Sequence, residues 1–502
     1  MRPVLTPDQM RALEARYFET SGVASIDLME VAATRLAEAV QAALPAGGVA
    51  YFACGTGGNG GDGLAAARLL AQQGCQAEIL LPAPPRTPDA CENLRRAEAI
   101  SLPVHGPEAY ASLPEPDLWV DALFGIGLSR APEGEAAVLI GRMNASAAPV
   151  IAADVPSGLD ARTGRALTPC VRATETVSFQ CLKTGQLLLD GLDVCGRLTA
   201  ADIGIPSTLL PDDAVRLIEP CDIAGLLKPR PRNMHKGTAG HLLLVAGSFG
   251  MAGAAAIAAT AALRMGVGLV TIACPGSIVP VLQTLAPCAV CLPLPETDGA
   301  LNRGAADMLR GAFAGKTAIA VGCGLSRRAD PAVVRAVLES GLPAALDADA
   351  LNLISGSAEL RALLGPKHII TPHPGEAARL LGQATHDPLS GAAALHALGP
   401  TAILKGASTV IAWEHCYLSA AGTSGMARGG SGDALLGVMG ALLAEGLNPA
   451  VPEAERPALT AALACQLHGL AGEAAAARHT ARAMTAMDLA LSLEEVFAKY
   501  GG

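Results

Sequence analysis

Short apolar runs alternate along most of this chain with longer stretches in which alanine and leucine recur at helical spacing, punctuated by glycine and proline. Strand, helix, strand is the pattern of repeated βαβ units. A strand covered by helices on both faces reads as one continuous apolar run. A first series predicts strands at 49–53, 77–81, 118–122, 150–153 and 174–179. A second predicts strands at 241–246, 269–273, 317–321, 344–346, 368–370 and 402–404, with helices from residue 433 closing it. Each series is thus expected to form an α/β domain with a mainly parallel sheet flanked by helices. Ahead of the first, Thr6, Pro7 and Gln9 have the spacing of a capping box opening a helix.

Between the series the pattern lapses. Pro206, Pro211, Pro220, Pro229 and Pro231 fall there among acidic and basic residues, and proline removes amide donors and restricts its predecessor. The expected organisation is a domain over 1–212, a linker or boundary over 213–232, and a domain over 233–502. The length of 502 residues suits two such units.

Composition narrows the class. The chain is 51% hydrophobic but only 3% aromatic, so alanine, leucine and valine must fill the cores. A net charge of −10 argues against a nucleic-acid or anionic-membrane surface, since both require a basic patch. Small polar metabolites are the expected partners, a homo-oligomer the expected assembly and the cytoplasm the expected location. The first residues lack the apolar core of a secretory signal. Thirteen cysteines, scattered singly, fit reduced thiols better than a disulfide framework. The one CxxC, Cys288 to Cys291, has no second pair and no close histidine, so no metal role is expected of it.

The chemistry sits in glycine-rich loops. Gly429, Gly430, Ser431, Gly432 and Asp433 precede a long apolar helix. Such a turn aims bare amides at one point, where the helix dipole also favours negative charge. A carboxylate at its mouth can take the proton of a hydroxyl that is about to meet a phosphoryl group. Nearer the N-terminus, six glycines surround Asn59 and Asp62 between residues 55 and 63, directly after a predicted strand. Two further loops on the same rim carry carboxylates: Asp121 leads into Gly125, Ile126, Gly127, Leu128, Ser129 and Arg130, and Asp154 leads into Pro156, Ser157, Gly158 and Asp160.

Together the three N-terminal segments resemble the epimerase domain of the bifunctional NAD(P)H-hydrate repair enzymes. That family interconverts the R and S forms of hydrated NADH and NADPH (NADHX and NADPHX). The resemblance implies a Rossmann-like fold. It implies that Gly58, Asn59, Gly60, Gly61, Asp62, Gly125, Ile126, Gly127, Leu128, Ser129, Arg130, Ala131 and Asp154 line the dinucleotide site. It further implies that Asn59, Asp121 and Ser157 hold K+ and that Asp154 is the proton-transferring base. Gly58 stands where that family usually has another asparagine.

In the second half an ordered set resembles the ribokinase-like, ADP-dependent dehydratase domain of the same family. It comprises the loop around Ser248 and Ala254, then Gly322 to Gly324, Asp347 to Asn352, Thr371 to Glu376, Lys405 to Thr409, and the turn ending at Asp433. By that resemblance Ala254, Gly324, His373 and Asp433 contact the hydrated nucleotide, with Asp433 catalytic. Lys405, Gly406, Ala407, Ser408, Thr409 and Gly432 contact ADP, which carries Mg2+ on its phosphates. Arg428 replaces the family's usual threonine, and its guanidinium is a candidate extra anion contact.

Taken singly, many of these residues also have structural readings. Asp121 and Asp160 suit strand-end turns, His373 a hydrogen-bonded loop, Lys405 a surface charge, and Asp347 and Asp349 a strand terminus or a water or metal site. Two other functions share the same features. One is an ATP-dependent kinase of a small alcohol such as a vitamin precursor. The other is a non-catalytic scaffold built on the N-terminal domain.

Overall fold

The computed structural model describes residues 1–501. Its contacts divide the chain into two compact units. One is Pro3–Val215; the other is Arg216–Gly502 together with Met1–Arg2.

The first unit is built on a seven-stranded, wholly parallel sheet. In spatial order its strands are Val104–His105, Gln76–Leu80, Val49–Cys54, Leu118–Ala122, Val150–Ala153, Glu175–Phe179 and Arg197–Ala201. The chain starts in the middle at Val49–Cys54, runs outward to one edge, then returns to build the other side from Leu118–Ala122. Between those two central strands lies the switch point, the crevice where open α/β sheets bind ligands. Both loops singled out in the sequence, after Cys54 and after Ala122, open there. One face of the sheet is covered by small aliphatic residues, among them Leu64, Ala65, Ala66, Leu70, Val120 and Ile151, and the other by a cluster holding the aromatic pair Tyr51 and Trp119 with Leu139, Ile140 and Met143.

The helix that follows the first glycine loop, expected from Leu64, begins at Gly58 and runs to Gln72. Close packing explains why glycines open it. A Cβ on Gly60 would lie 1.8 Å from the Gly55 carbonyl oxygen, and one on Gly63 would lie 2.5 Å from the Ala122 Cβ. At these two positions no side chain fits. The N-terminal helix Pro7–Ser21 carries the expected capping box, Gln9 N–H donating to Thr6 Oγ1 at 3.2 Å and Thr6 N–H to Gln9 Oε1 at 3.0 Å.

In the second unit seven parallel strands run in the order Val290–Leu294, Leu269–Pro275, His241–Val245, Ala318–Val321, Ala344–Leu346, His368–Ile370 and Thr401–Leu404. Thr409–Ala412 and Cys416–Ser419 then add as an antiparallel meander. The switch point recurs between His241–Val245 and Ala318–Val321. The helix Ser431–Glu445 packs on the sheet through Gly440, against Leu242 and Ala320, and on the helix Ala252–Arg264 through Gly437, whose Cβ would fall 2.1 Å from the Ala258 carbonyl oxygen.

Residues 213–232, read from the prolines as a linker or boundary, are structured. Arg216 and Leu217 pair in parallel with Tyr417 and Leu418, and Ile223–Leu226 is a short helix. A strand of three residues carries too little periodicity to register in sequence. No helix among the described residues is long and apolar enough to cross a membrane.

Candidate active sites

In the first unit a cavity of about 580 Å3 opens at the switch point, a size suited to part of a dinucleotide. Gly58, Asn59 and Asp62 line it from the first glycine loop, and Gly125, Ile126, Gly127, Leu128, Ser129 and Arg130 from the second. Asp154 closes its floor. Gly60, Gly61 and Ala131, expected with them, do not line it: Gly60 and Gly61 are buried against Gly55 and Met29.

Asp154 is held in an unusual way. Its φ of +63° lies in the left-handed region, which a non-glycine residue adopts only when its surroundings impose it. Those surroundings are dense. The Asp154 amide donates to the Val177 carbonyl at 2.8 Å, its carbonyl accepts from Gln186 Nε2 at 2.7 Å, and its Oδ1 accepts from the Phe179 amide at 3.2 Å. The same oxygen forms an ion pair with Lys183 Nζ, wholly buried and also donating to the Phe179 carbonyl at 2.9 Å and Ser178 Oγ at 3.1 Å. A buried ammonium so placed fixes one carboxylate oxygen and leaves the other for chemistry.

Asp121 and Ser157 meet behind this floor. Ser157 donates twice to Asp121, from Oγ at 2.6 Å and from its amide at 2.7 Å, while the Phe124 amide donates to Ser157 Oγ at 2.9 Å. Burial pushes the Asp121 carboxyl up to about 6, against the pull of these hydrogen bonds. Asn59 approaches the same loop: a Cβ on Gly125 would lie 3.2 Å from the Asn59 amide, and the buried Asn59 Nδ2 has no protein partner.

The second unit gathers its candidates around the N-terminus of Ser431–Glu445. Gly430, at φ +96°, caps that helix and leaves Gly432 and Asp433 in its first turn, where amides lack intrahelical partners. A Cβ on Gly432 would stand 3.4 Å from Asp347 Oδ2 and 3.5 Å from Lys405 Nζ. Lys405 and Asp347 are themselves paired at 2.6 Å. Lys405 therefore points inward to a buried carboxylate, and the surface reading of it fails. Burial, then the charge of Asp347, pushes the Asp433 carboxyl up to about 6, with Lys405 pulling the other way.

Ala254 and Gly324 are neighbours: a Cβ on Gly324, at φ +61°, would touch the Ala254 Cβ at 3.0 Å. His373 is half exposed and caps the helix Pro374–Leu381, its Nδ1 accepting from the Gly375 amide at 3.0 Å, and its Nε2 lies 3.6 Å from Glu376 Oε1. The carbonyl before it, on Pro372, accepts the Lys405 amide at 3.0 Å and joins the two loops. Of residues 406–409, Ser408 is buried with its Oγ unpaired, and Thr409 opens the next strand. Arg428 is engaged by backbone carbonyls. Its guanidinium donates to the carbonyls of Gly425 at 2.6 Å and Ala481 at 3.0 Å, which corrects the anion-contact reading.

Sequence comparison bears on both sites. The YjeF-related protein N-terminus family matches residues 25–185, and the NAD(P)H-hydrate dehydratase family matches residues 242–495. The bifunctional NAD(P)H-hydrate repair enzyme of Moorella thermoacetica is 39% identical, covering 97% of this chain and 95% of its own length. That of Escherichia coli is 34% identical over 97% of this chain and 93% of its own. The chain belongs to the bifunctional NAD(P)H-hydrate repair enzyme family. Among solved structures, an ADP/ATP-dependent NAD(P)H-hydrate dehydratase of Bacillus subtilis, co-crystallised with ATP and Mg2+, is 29% identical, covering 57% of this chain and 99% of its own, with a TM-score of 0.47.

Two residues of this repair enzyme's sites escaped the sequence reading. Lys183 ends the short strand Leu182–Lys183 and is followed by Thr184, Gly185 and Gln186, so nothing local marks it as buried. His468 lies mid-helix in Arg456–Ala483. It is buried, held neutral by a pKa pushed down to about 4, and its Nε2 donates to the Ser431 carbonyl at 2.9 Å, steadying the turn before Asp433.

Proposed function

We propose that the first unit interconverts the R and S hydrates at the cavity floored by Asp154, and that the second dehydrates the S form with ADP at the turn holding Asp433. What supports the second assignment most is a single relationship: a carboxylate of raised proton affinity in the first turn of a glycine-capped helix, beside the Lys405–Asp347 pair.

Hydroxide is a poor leaving group. Asp433 takes the proton of the hydrate's hydroxyl as its oxygen attacks the terminal phosphoryl group of ADP; the bond to the remaining phosphate breaks and AMP departs. The amides at Gly432 and Asp433 stabilise charge on the transferred group. Carbon–oxygen cleavage then releases inorganic phosphate, pushed by the ring nitrogen, and loss of the neighbouring ring proton restores the double bond. Lys405 keeps one cation near the phosphates and fixes Asp347. Ala254, Gly324 and His373 contact the hydrate, and Gly406, Ala407, Ser408 and Thr409 contact the adenine nucleotide.

In the first unit Asp154 moves the proton that the epimerisation requires. Asn59 Oδ1, Asp121 and Ser157 offer hard oxygen donors that suit K+, while the unpartnered, buried Asn59 Nδ2 is a donor that suits an acceptor atom of the dinucleotide. Such an ion would supply fixed positive charge beside the dinucleotide. For Mg2+, no cluster of three metal-binding side chains occurs among the described residues, so the nucleotide phosphates are its expected carriers.

The test is phosphorus NMR of the full chain with S-NADHX, ADP and Mg2+. AMP and inorganic phosphate are expected to appear in step with the dihydronicotinamide absorbance. A stable phosphorylated product with no return of absorbance would overturn the dehydratase assignment in favour of a kinase.

A further inference from the structure

The helix Pro7–Ser21 turns Met10, Glu14 and Phe18, each four residues apart and so on one face, into the cavity that contains Asp154. Packing explains the methionine and the phenylalanine but not the acid between them. On the next helix Glu30 is tied to Arg68. Among the described residues the Glu14 carboxylate has neither a hydrogen bond nor an ion pair. Four charged groups bear on it: Asp154 and its partner Lys183 from the cavity floor, Asp62 from the wall, and Arg11 from its own helix. Burial, then Asp154, pushes the Glu14 carboxyl up to about 7, with Lys183 and Arg11 opposing.

We propose that Glu14 is the second proton-transfer residue of the epimerase cavity, working in partnership with Asp154 on the hydrated ring. This rests on the assignment of that cavity to the epimerase. Hydration places a hydroxyl on the ring carbon bonded to nitrogen, and inverting that carbon requires one of its bonds to open and reform. One carboxylate takes the hydroxyl proton as the carbon–oxygen double bond forms. The carbon–nitrogen bond opens, leaving its electron pair on nitrogen, which takes a proton from the other carboxylic acid. After the carbonyl turns, nitrogen closes on its opposite face and both transfers run backwards. No oxidant or reductant is required. The cycle needs two carboxyl groups sharing one proton, and Asp154, pinned by Lys183, supplies only one of them.

Epimerisation of purified R-NADHX by the full chain tests this, comparing wild type with Glu14→Gln, Glu14→Asp and Asp154→Asn. Glu14→Gln is expected to lower kcat by about 100-fold, leave KM within about twofold, and abolish the fall in rate as pH rises past about 7. Glu14→Asp is expected to lose about tenfold in kcat while keeping that limb. If Glu14→Gln matches wild type at every pH while Asp154→Asn is inactive, the proposal fails and the cavity assignment stands. If Asp154→Asn also epimerises at the wild-type rate, the cavity assignment itself fails. Should circular dichroism show Glu14→Gln unfolded, Glu14→Asp decides: an unchanged kcat and pH profile overturns the proposal.

Discussion

Lys405 brings its ammonium within 2.6 Å of Asp347 Oδ1, and Thr371 Oγ1 donates to that same oxygen at 2.8 Å. Asp347 is almost fully buried, so the pair joins the ends of three neighbouring strands beneath the glycine turn. Replacing Lys405 with methionine would strand a buried carboxylate. A loss of about 3 kcal/mol is expected, read as a lower thermal transition. Lys405 also lowers the proton affinity of Asp433, so the pH midpoint of dehydration in this variant should move above the wild-type value.

Asp433 gives dehydration a characteristic pH response. As a base whose carboxyl is pushed up to about 6, it should let kcat fall roughly tenfold per pH unit below that point and level off above it. The stability effect runs the other way. Its folded affinity exceeds its ordinary value of 3.8, so the folded chain binds more protons between about pH 4 and 6, and stability from this group declines as pH rises through that window. Asp433→Asn should therefore abolish dehydration yet raise the thermal transition at neutral pH, by a free energy of order 2 kcal/mol.

Lys183 is expected to act on epimerisation through Asp154. Lys183→Met removes the cation that fixes Asp154 Oδ1 and should cut epimerisation about 100-fold. Dehydration of pure S hydrate should stay at the wild-type rate, which steady-state assays of the two epimers can separate.

Arg428 offers a contrasting case. Its Nε and Nη2 are held by the carbonyls of Gly425 and Ala481, so Arg428→Gln should leave the KM for ADP within about twofold. Unpaired carbonyls should instead lower stability by about 1 kcal/mol. A tenfold rise in that KM, measured by titrating ADP, would restore the anion-contact reading.

Most of this architecture was legible in the residues. Strands 118–122, 150–153, 344–346 and 368–370 appear where the apolar runs fall, because a strand buried on both faces reads as a nearly continuous apolar run. The glycine loops were legible because backbone must approach backbone there, as at Gly60. What escaped depends on long-range pairing. Arg197–Ala201 is the edge strand of its sheet and mixes polar with apolar positions, and Cys416–Ser419 is short and pairs with Arg216 and Leu217, 201 residues earlier. Lys183, Glu14 and His468 gain their character from partners far off in sequence, and a lysine 29 residues from its aspartate carries no local signature. Arg428 misled for the same reason: adjacency to the glycine turn suggested a phosphate, and the carbonyl of Ala481 claims its guanidinium instead.

The central claim is a division of labour between two carboxylates on two units. It is tested by incubating equal R and S hydrate with ADP, Mg2+ and K+ and following the dihydronicotinamide absorbance. Wild type should recover all of it quickly, Asp154→Ala only the S half quickly, and Asp433→Ala neither. Equal recovery curves for the two variants would contradict the account.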